Sequence, residues 1–376
     1  GDPMISFQPT QEQEMIRKTA REFVQKHVNP NVNAWEETGE IPEDVVLEAG
    51  KVGLLGAPIP AEYGGTGLDN LTYAMVTEEV GKGCSSLRTT FSVNTSLFGN
   101  NVAMFGNEEQ KKAYLPAICT GEKRGAWALT EHQSGSDAKG MLTTATPDGS
   151  DYVVVFARVG PKGEFDPKKK DENLACFVVH KEDEGFSTGT VMGKGKLGLR
   201  ASHTAELVFE DCRIPADRLV GEVGQGWEIA NAILQKGRLS VAAGAVGIAQ
   251  AAYEASLDYA NEREAFGRSI GNFQLIREHL AYMHQQIETA RLLVWKAAWM
   301  ADEGMDNALA VSTAKLHAAE VVMDVTERAV QIHAGNGYSD EYPVERYFRD
   351  AKICGIYEGT NEIHKLIIGS KVLGDA

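Results

Sequence analysis

Gly224-Gln225-Gly226-Trp227 is the punctuation on which the reading of the fold turns. Behind it the pattern is helical to the C-terminus. Three segments, at about 227–261, 273–302 and 307–334, are each longer than the roughly 11–12 residues of an average globular helix. Such helices, joined by short connections, bury their apolar faces on one another as an antiparallel bundle. The first contains Val241-Ala242-Ala243-Gly244-Ala245-Val246-Gly247, whose small side chains let a neighbouring backbone come close. Ahead of the punctuation, from about 122 to 223, the periodicity is that of strands. Short β-type runs at 126–129, 175–179 and 205–209 are separated by Gly, Asp and Pro clusters.

Further back the pattern is helical again. Thr10-Gln11-Glu12-Gln13 is a capping box, and Ile16, Ala20, Phe23, Val24 and His27 form one helical stripe that ends at Asn29-Pro30. A second helix is expected at about 43–50, and the turn-rich run from Pro60 through Gly64-Gly65-Thr66-Gly67 to Asp69 opens another at Asn70. The expected organisation is therefore mainly α with a middle β-domain: 1–121 helical, 122–223 β, and 224–376 a helical bundle.

Composition narrows the function. A chain of 376 residues, 43% hydrophobic and 24% charged, is globular and can bury several cores. No run of about eighteen apolar residues occurs, so no membrane-spanning helix is expected. The net charge of −16 argues against nucleic acid, which needs a basic face. Five widely spaced cysteines without a CxxC pair suggest reduced thiols in a cytosolic-type compartment, and neither they nor any other cluster suggests a metal site. Gly1-Asp2-Pro3-Met4 reads as an added lead before Met4, and Lys168-Lys169-Lys170 as a solvated loop. Gly193-Lys194-Gly195-Lys196-Leu197-Gly198 has the letters of a dinucleotide fingerprint, but a strand pattern follows it where the mechanism requires a helix N-terminus.

The chemistry concentrates in Ile356-Tyr357-Glu358-Gly359-Thr360-Asn361-Glu362-Ile363. Glu358 sits beside a glycine, immediately before good N-cap types and an Ile363, Leu366, Ile367 helical face. By itself Glu-Gly-Thr can equally be a solvated turn. At a helix N-terminus, however, a single carboxylate can serve as a general base facing an electron-accepting partner.

Together with Arg349-Asp350-Ala351-Lys352, Glu341-Tyr342-Pro343-Val344-Glu345-Arg346 and the Pro60–Asp69 run, this stretch resembles the acyl-CoA dehydrogenases over essentially the whole chain. The resemblance implies that family's fold: an N-terminal α-domain, a β-barrel-like middle domain and a C-terminal four-helix bundle. It also implies FAD, an acyl-CoA substrate, electron-transferring flavoprotein as acceptor, and a homotetramer that is cytoplasmic in a prokaryote or in the mitochondrial matrix of a eukaryote.

Carried over residue by residue, the match makes Glu358 the base that removes the α-proton. Its backbone N–H and a flavin ribityl hydroxyl would hold the thioester carbonyl. Tyr357, Gly359, Arg238 and Ser136 would face substrate. Trp127, Leu129, Thr130, Thr360 and Glu362 would contact the flavin, and Arg263, Phe266, Gln274, Gln331 and Gly335 would reach the FAD of a neighbouring subunit. In isovaleryl and long-chain members the base stands at the position of Gly237, which has no side chain to compete with Glu358.

Three features complicate the match. His132-Gln133 replaces a pair that is usually Pro-Gly, and Arg88 stands where glutaryl-CoA dehydrogenases hold a distal carboxylate. After Pro147-Asp148-Gly149-Ser150-Asp151-Tyr152-Val153, the family's Trp-Ile-Thr-Asn flavin strand is missing and the chain passes directly to Val154-Val155-Phe156. Either one wall of the flavin site is lost, or residues are missing from the sequence as written; a Cα–Cα step well above about 3.8 Å near Tyr152–Val155 would reveal the second. The alternatives to an acyl-CoA dehydrogenase of short- or medium-chain type are a glutaryl-CoA enzyme, an acyl-CoA oxidase, and a catalytically silent acyl-CoA binder.

Overall fold

The computed structural model describes residues 7–131, 135–137, 151–159 and 173–374. The lead at residues 1–4, His132-Gln133, the 147–150 turn and Lys168–Lys170 lie outside the described residues.

The N-terminal helices are α1 (Gln11–Phe23), α2 (Val32–Thr38), α3 (Glu43–Lys51), α4 (Asn70–Gly83), α5 (Ser85–Phe91), α6 (Asn100–Phe105) and α7 (Glu108–Thr120). Local chemistry sets their ends. The Thr10 hydroxyl accepts from Gln13 N–H at 3.1 Å while the Gln13 side chain accepts from Thr10 N–H at 2.9 Å, which is the expected capping box. Asp69 caps α4, and Gly121 closes α7 at φ 81, a left-handed conformation that glycine adopts without strain.

The strands are β1 (Gly125–Ala128), β2 (Tyr152–Arg158), β3 (Leu174–His180), β4 (Phe186–Met192), β5 (Thr204–Phe209) and β6 (Leu219–Val220). One sheet has the order β1-β2-β3-β6, with β1 and β2 parallel and the other pairs antiparallel; β4 and β5 form a separate ribbon. The direct join is carried as one unbroken strand, whose register runs from Tyr152↔His180 through Arg158↔Leu174. After Gly198 the chain turns and enters β5 rather than a helix, so the glycine-rich run lacks the helix N-terminus that a dinucleotide fingerprint requires.

Three long helices then follow: α8 (Gly226–Glu262), α9 (Gln274–Asp302) and α10 (Ala308–His333). The hairpin β7 (Glu264–Ala265) and β8 (Arg268–Ser269) separates the first two, and α11 (Val344–Ala351) and α12 (Asn361–Leu373) end the chain. The main core joins Ala242, Val246, Ile287, Val294, Ala318 and Val322, so the helices are welded by alanine and valine faces. At Gly247 an added Cβ would lie 2.2 Å from the Glu78 carbonyl oxygen, so the small-residue run does let α4 pack backbone to backbone on α8. Among the described residues no helix is long and apolar enough to cross a membrane, no group of side chains could hold a metal ion, and all five cysteines are free.

Candidate active site

Glu358 lies in the tight turn between α11 and α12, with φ 56, and Gly359 follows at φ 93. Two successive left-handed residues reverse the chain, and the non-glycine one costs about 1–2 kcal/mol. Neighbouring side chains hold the turn. Arg238 Nε donates to the Glu358 carbonyl at 3.3 Å, and His364 Nε2, which must carry the proton when it faces a carbonyl, donates to the same oxygen at 3.1 Å. Lys315 Nζ donates to the Gly359 carbonyl at 2.6 Å. The Thr360 hydroxyl accepts from Ile363 N–H at 3.3 Å and so starts α12, placing the helix N-terminus beside the glutamate.

The carboxylate occupies space left by α8. A Cβ at Gly237 would lie 2.5 Å from Glu358 Oε1 and 2.7 Å from Oε2, so only glycine leaves room for it. Oε2 is sealed from solvent without a hydrogen-bond partner, although part of the residue reaches the surface of the cleft. Burial pushes the carboxyl up to about 7, against the opposing pull of Arg238, Lys315 and Arg88. A carboxylate poised near neutral pH with an unspent oxygen has the properties of a general base.

Beside it opens a cleft of about 1590 Å³. Its walls include Trp127, Leu129, Thr130, Ser136, Arg238, Tyr357, Glu358 and Gly359. Those eight expected residues, drawn from the β part and the C-terminal helical part of the chain, therefore converge. The volume exceeds the roughly 300–1,000 Å³ of a single small-molecule site, so a large planar cofactor and an acyl thioester fit together. Trp127 is buried against Phe156, with ring centroids 4.9 Å apart, giving the cleft a rigid aromatic wall. These residues fit a bound flavin.

The remaining expected residues lie elsewhere. Arg263, Phe266, Gln274, Gln331 and Gly335 are exposed on the single chain and do not line the cleft; Phe266 is 96% exposed. Thr360 and Glu362 are absent from its walls: Thr360 caps α12, and the Glu362 carboxylate bonds its own N–H and the Thr360 side chain. Arg88 is 1% exposed and also stands off the cleft. Its guanidinium bonds the Ser92 hydroxyl at 3.1 Å and the Tyr357 hydroxyl, and lies over the Tyr357 ring at 5.6 Å. It therefore supports the cleft wall from behind.

Sequence reasoning passed over Lys315 and His364. Both are 0% exposed, and burial lowers Lys315 to about 8 and His364 to about 4. The signal for Lys315 was present: it lies on the helical face of Val311, Ala318, Ala319 and Val322, where a lysine is out of place.

Family comparison agrees with this geometry. Residues 10–122 match the acyl-CoA dehydrogenase N-terminal domain and residues 224–373 the acyl-CoA dehydrogenase C-terminal domain, and the chain belongs to the acyl-CoA dehydrogenase family of flavoprotein oxidoreductases. It is 41% identical to the short-chain specific acyl-CoA dehydrogenase of Clostridium acetobutylicum, covering 98% of this chain and 100% of the relative. The solved butyryl-CoA dehydrogenase of Megasphaera elsdenii superposes with a TM-score of 0.92 at 37% identity, over 98% of this chain and 100% of that one. A chain from a structural study of the electron transferring flavoprotein of Acidaminococcus fermentans and flavin-based electron bifurcation gives a TM-score of 0.93 at 39% identity, over 99% and 100%.

Proposed function

We propose that this acyl-CoA dehydrogenase acts on short-chain acyl-CoA thioesters, holds FAD in the cleft beside Trp127, and passes electrons to an electron-transferring flavoprotein. The observation that carries the reading is the unpartnered, buried Oε2 of Glu358 at the edge of a cleft large enough for two partners.

The chain's own residues prepare one proton transfer. The Glu358 carboxylate takes the α-proton of the thioester, leaving charge to gather on the thioester oxygen. Among the described residues no acceptor takes the Glu358 N–H, which is free to donate to that oxygen. Arg238 fixes the Glu358 carbonyl and so orients the peptide. Leu129 and Trp127 add apolar wall to the cleft, which helps exclude water from the carbanionic carbon. Bound FAD supplies the acceptor for the hydride that leaves the β-carbon.

Arg88, committed to Tyr357 and Ser92, gives no support to a dicarboxylic substrate. The relatives' short-chain and butyryl-CoA names support the chain length. The deciding experiment is anaerobic bleaching of the flavin of the holoprotein by acetyl-, butyryl-, octanoyl-, isovaleryl- and glutaryl-CoA. Bleaching fastest with butyryl-CoA, with little peroxide formed in air, is the expected result. Preference for glutaryl-CoA, rapid peroxide formation, or a protein that takes up no FAD would each overturn the reading.

A further inference from the structure

The turn carrying Glu358 has one support that the reaction itself does not require. Lys315 comes from α10, is 0% exposed, and places Nζ 2.6 Å from the Gly359 carbonyl oxygen. A lysine is almost never fully buried without a partner, and here the one oxygen assigned to it belongs to the residue immediately after the base. That carbonyl faces an ammonium only while Gly359 keeps its left-handed φ of 93 and Glu358 its φ of 56. We infer that Lys315 is a positioning residue for Glu358: its ammonium, anchored in the bundle, clamps the Gly359 carbonyl and holds the strained turn from which the carboxylate reaches the cleft. The inference rests on Glu358 being the base.

The surroundings accord with a clamp. Facing Lys315 are the Cys354 thiol ahead of the turn, Glu358 within it, Glu362 and His364 on α12, and Arg238 on α8. The negative members lie on the segment that carries the base. A charge-assisted bond to a carbonyl is stronger than a neutral one, and inside a protein it is screened little. Arg238 and His364 hold the preceding carbonyl, so the three donors together fix the two peptide planes that flank Gly359 and hence the backbone conformation of the glycine on which the Glu358 turn closes. The ammonium also lowers the proton affinity of Glu358, so the same residue sets both geometry and charge.

The test compares wild type with Lys315→Met, which removes donor and charge, and Lys315→Gln, which keeps a donor without the charge. In the FAD-loaded enzyme, Lys315→Met is expected to lower the limiting rate of flavin bleaching by butyryl-CoA about tenfold to a hundredfold, the range for losing one charge-assisted bond. Lys315→Gln should recover part of that rate. In both variants the acid limb of the pH profile moves to higher pH, because a cation that favoured the ionised carboxylate is gone. In the FAD-free protein, hydrogen exchange of backbone amides in the 352–362 segment should speed up in Lys315→Met and less in Lys315→Gln. An unchanged acid limb with a rate loss that only follows the fraction of folded protein would overturn the inference, as would unaltered exchange or failure of both variants to fold. If wild type bleaches with no acyl-CoA, the functional reading falls, while the exchange experiment still decides whether Lys315 holds the turn.

Discussion

Gly237→Ala separates the position of the base from the stability of the fold. Gly237 lies inside α8, where exchange of glycine for alanine ordinarily stabilises a helix by about 1 kcal/mol. The three atoms nearest an added Cβ all belong to the Glu358 carboxylate, at 2.5, 2.7 and 2.7 Å. A comfortable contact needs about 3.5 Å, so the carboxylate must retreat by about 1 Å. Only the end of a flexible side chain has to give, and the fold survives. A displacement of that size from a reacting atom costs on the order of a hundredfold in rate. The expected outcome is a protein whose melting temperature is equal to or above that of wild type, and whose flavin is bleached by butyryl-CoA about a hundred times more slowly in anaerobic stopped-flow. Bleaching within about twofold of wild type, in a protein that has not lost stability, would show that the carboxylate does not act from this place.

Glu358→Gln should cut the rate by about 10²–10⁴-fold, the usual range for a general base, as read by the same bleaching assay. It should also stabilise the protein above neutral pH. Because burial raises the folded-state carboxyl from 4.5 to about 7, ionisation weighs against folding as pH rises through that window. In differential scanning calorimetry the gain over wild type should vanish below about 4.5 and be complete above about 7. Arg88→Met leaves the Tyr357 hydroxyl without its cationic partner and is expected to destabilise by about 1–3 kcal/mol, measured by urea unfolding. If it also leaves the ratio of rates on glutaryl-CoA and butyryl-CoA unchanged, Arg88 is no carboxylate anchor; a selective loss on glutaryl-CoA would restore that role. Thr360→Ala removes the α12 cap and should cost about 1 kcal/mol, visible as a lower melting temperature.

The helical and strand elements were legible because their signals are local. The Thr10 capping box, the Asp69-Asn70 helix start and the Gly224–Trp227 boundary each stand in a few adjacent residues. The proposed base was legible through the Tyr357–Thr360 motif and the vacancy at Gly237, two words of sequence far apart in the chain. No local pattern, by contrast, could place Arg88 behind Tyr357 or bring the Lys315 ammonium to the Gly359 carbonyl. Those partners are separated by 269 and 44 residues, and only the packing of α5 and α10 against the last turn joins them. Arg263, Phe266, Gln274, Gln331 and Gly335, which the resemblance assigned to a neighbouring subunit's FAD, stand apart from the cleft of their own chain, a distance that only the folded surface fixes. The sequence by itself therefore determined which elements form and which carboxylate is the candidate base. The burial that raises that carboxylate toward neutrality, and the cations that hold and counter it, were decided only when distant helices closed around the turn and excluded water from it.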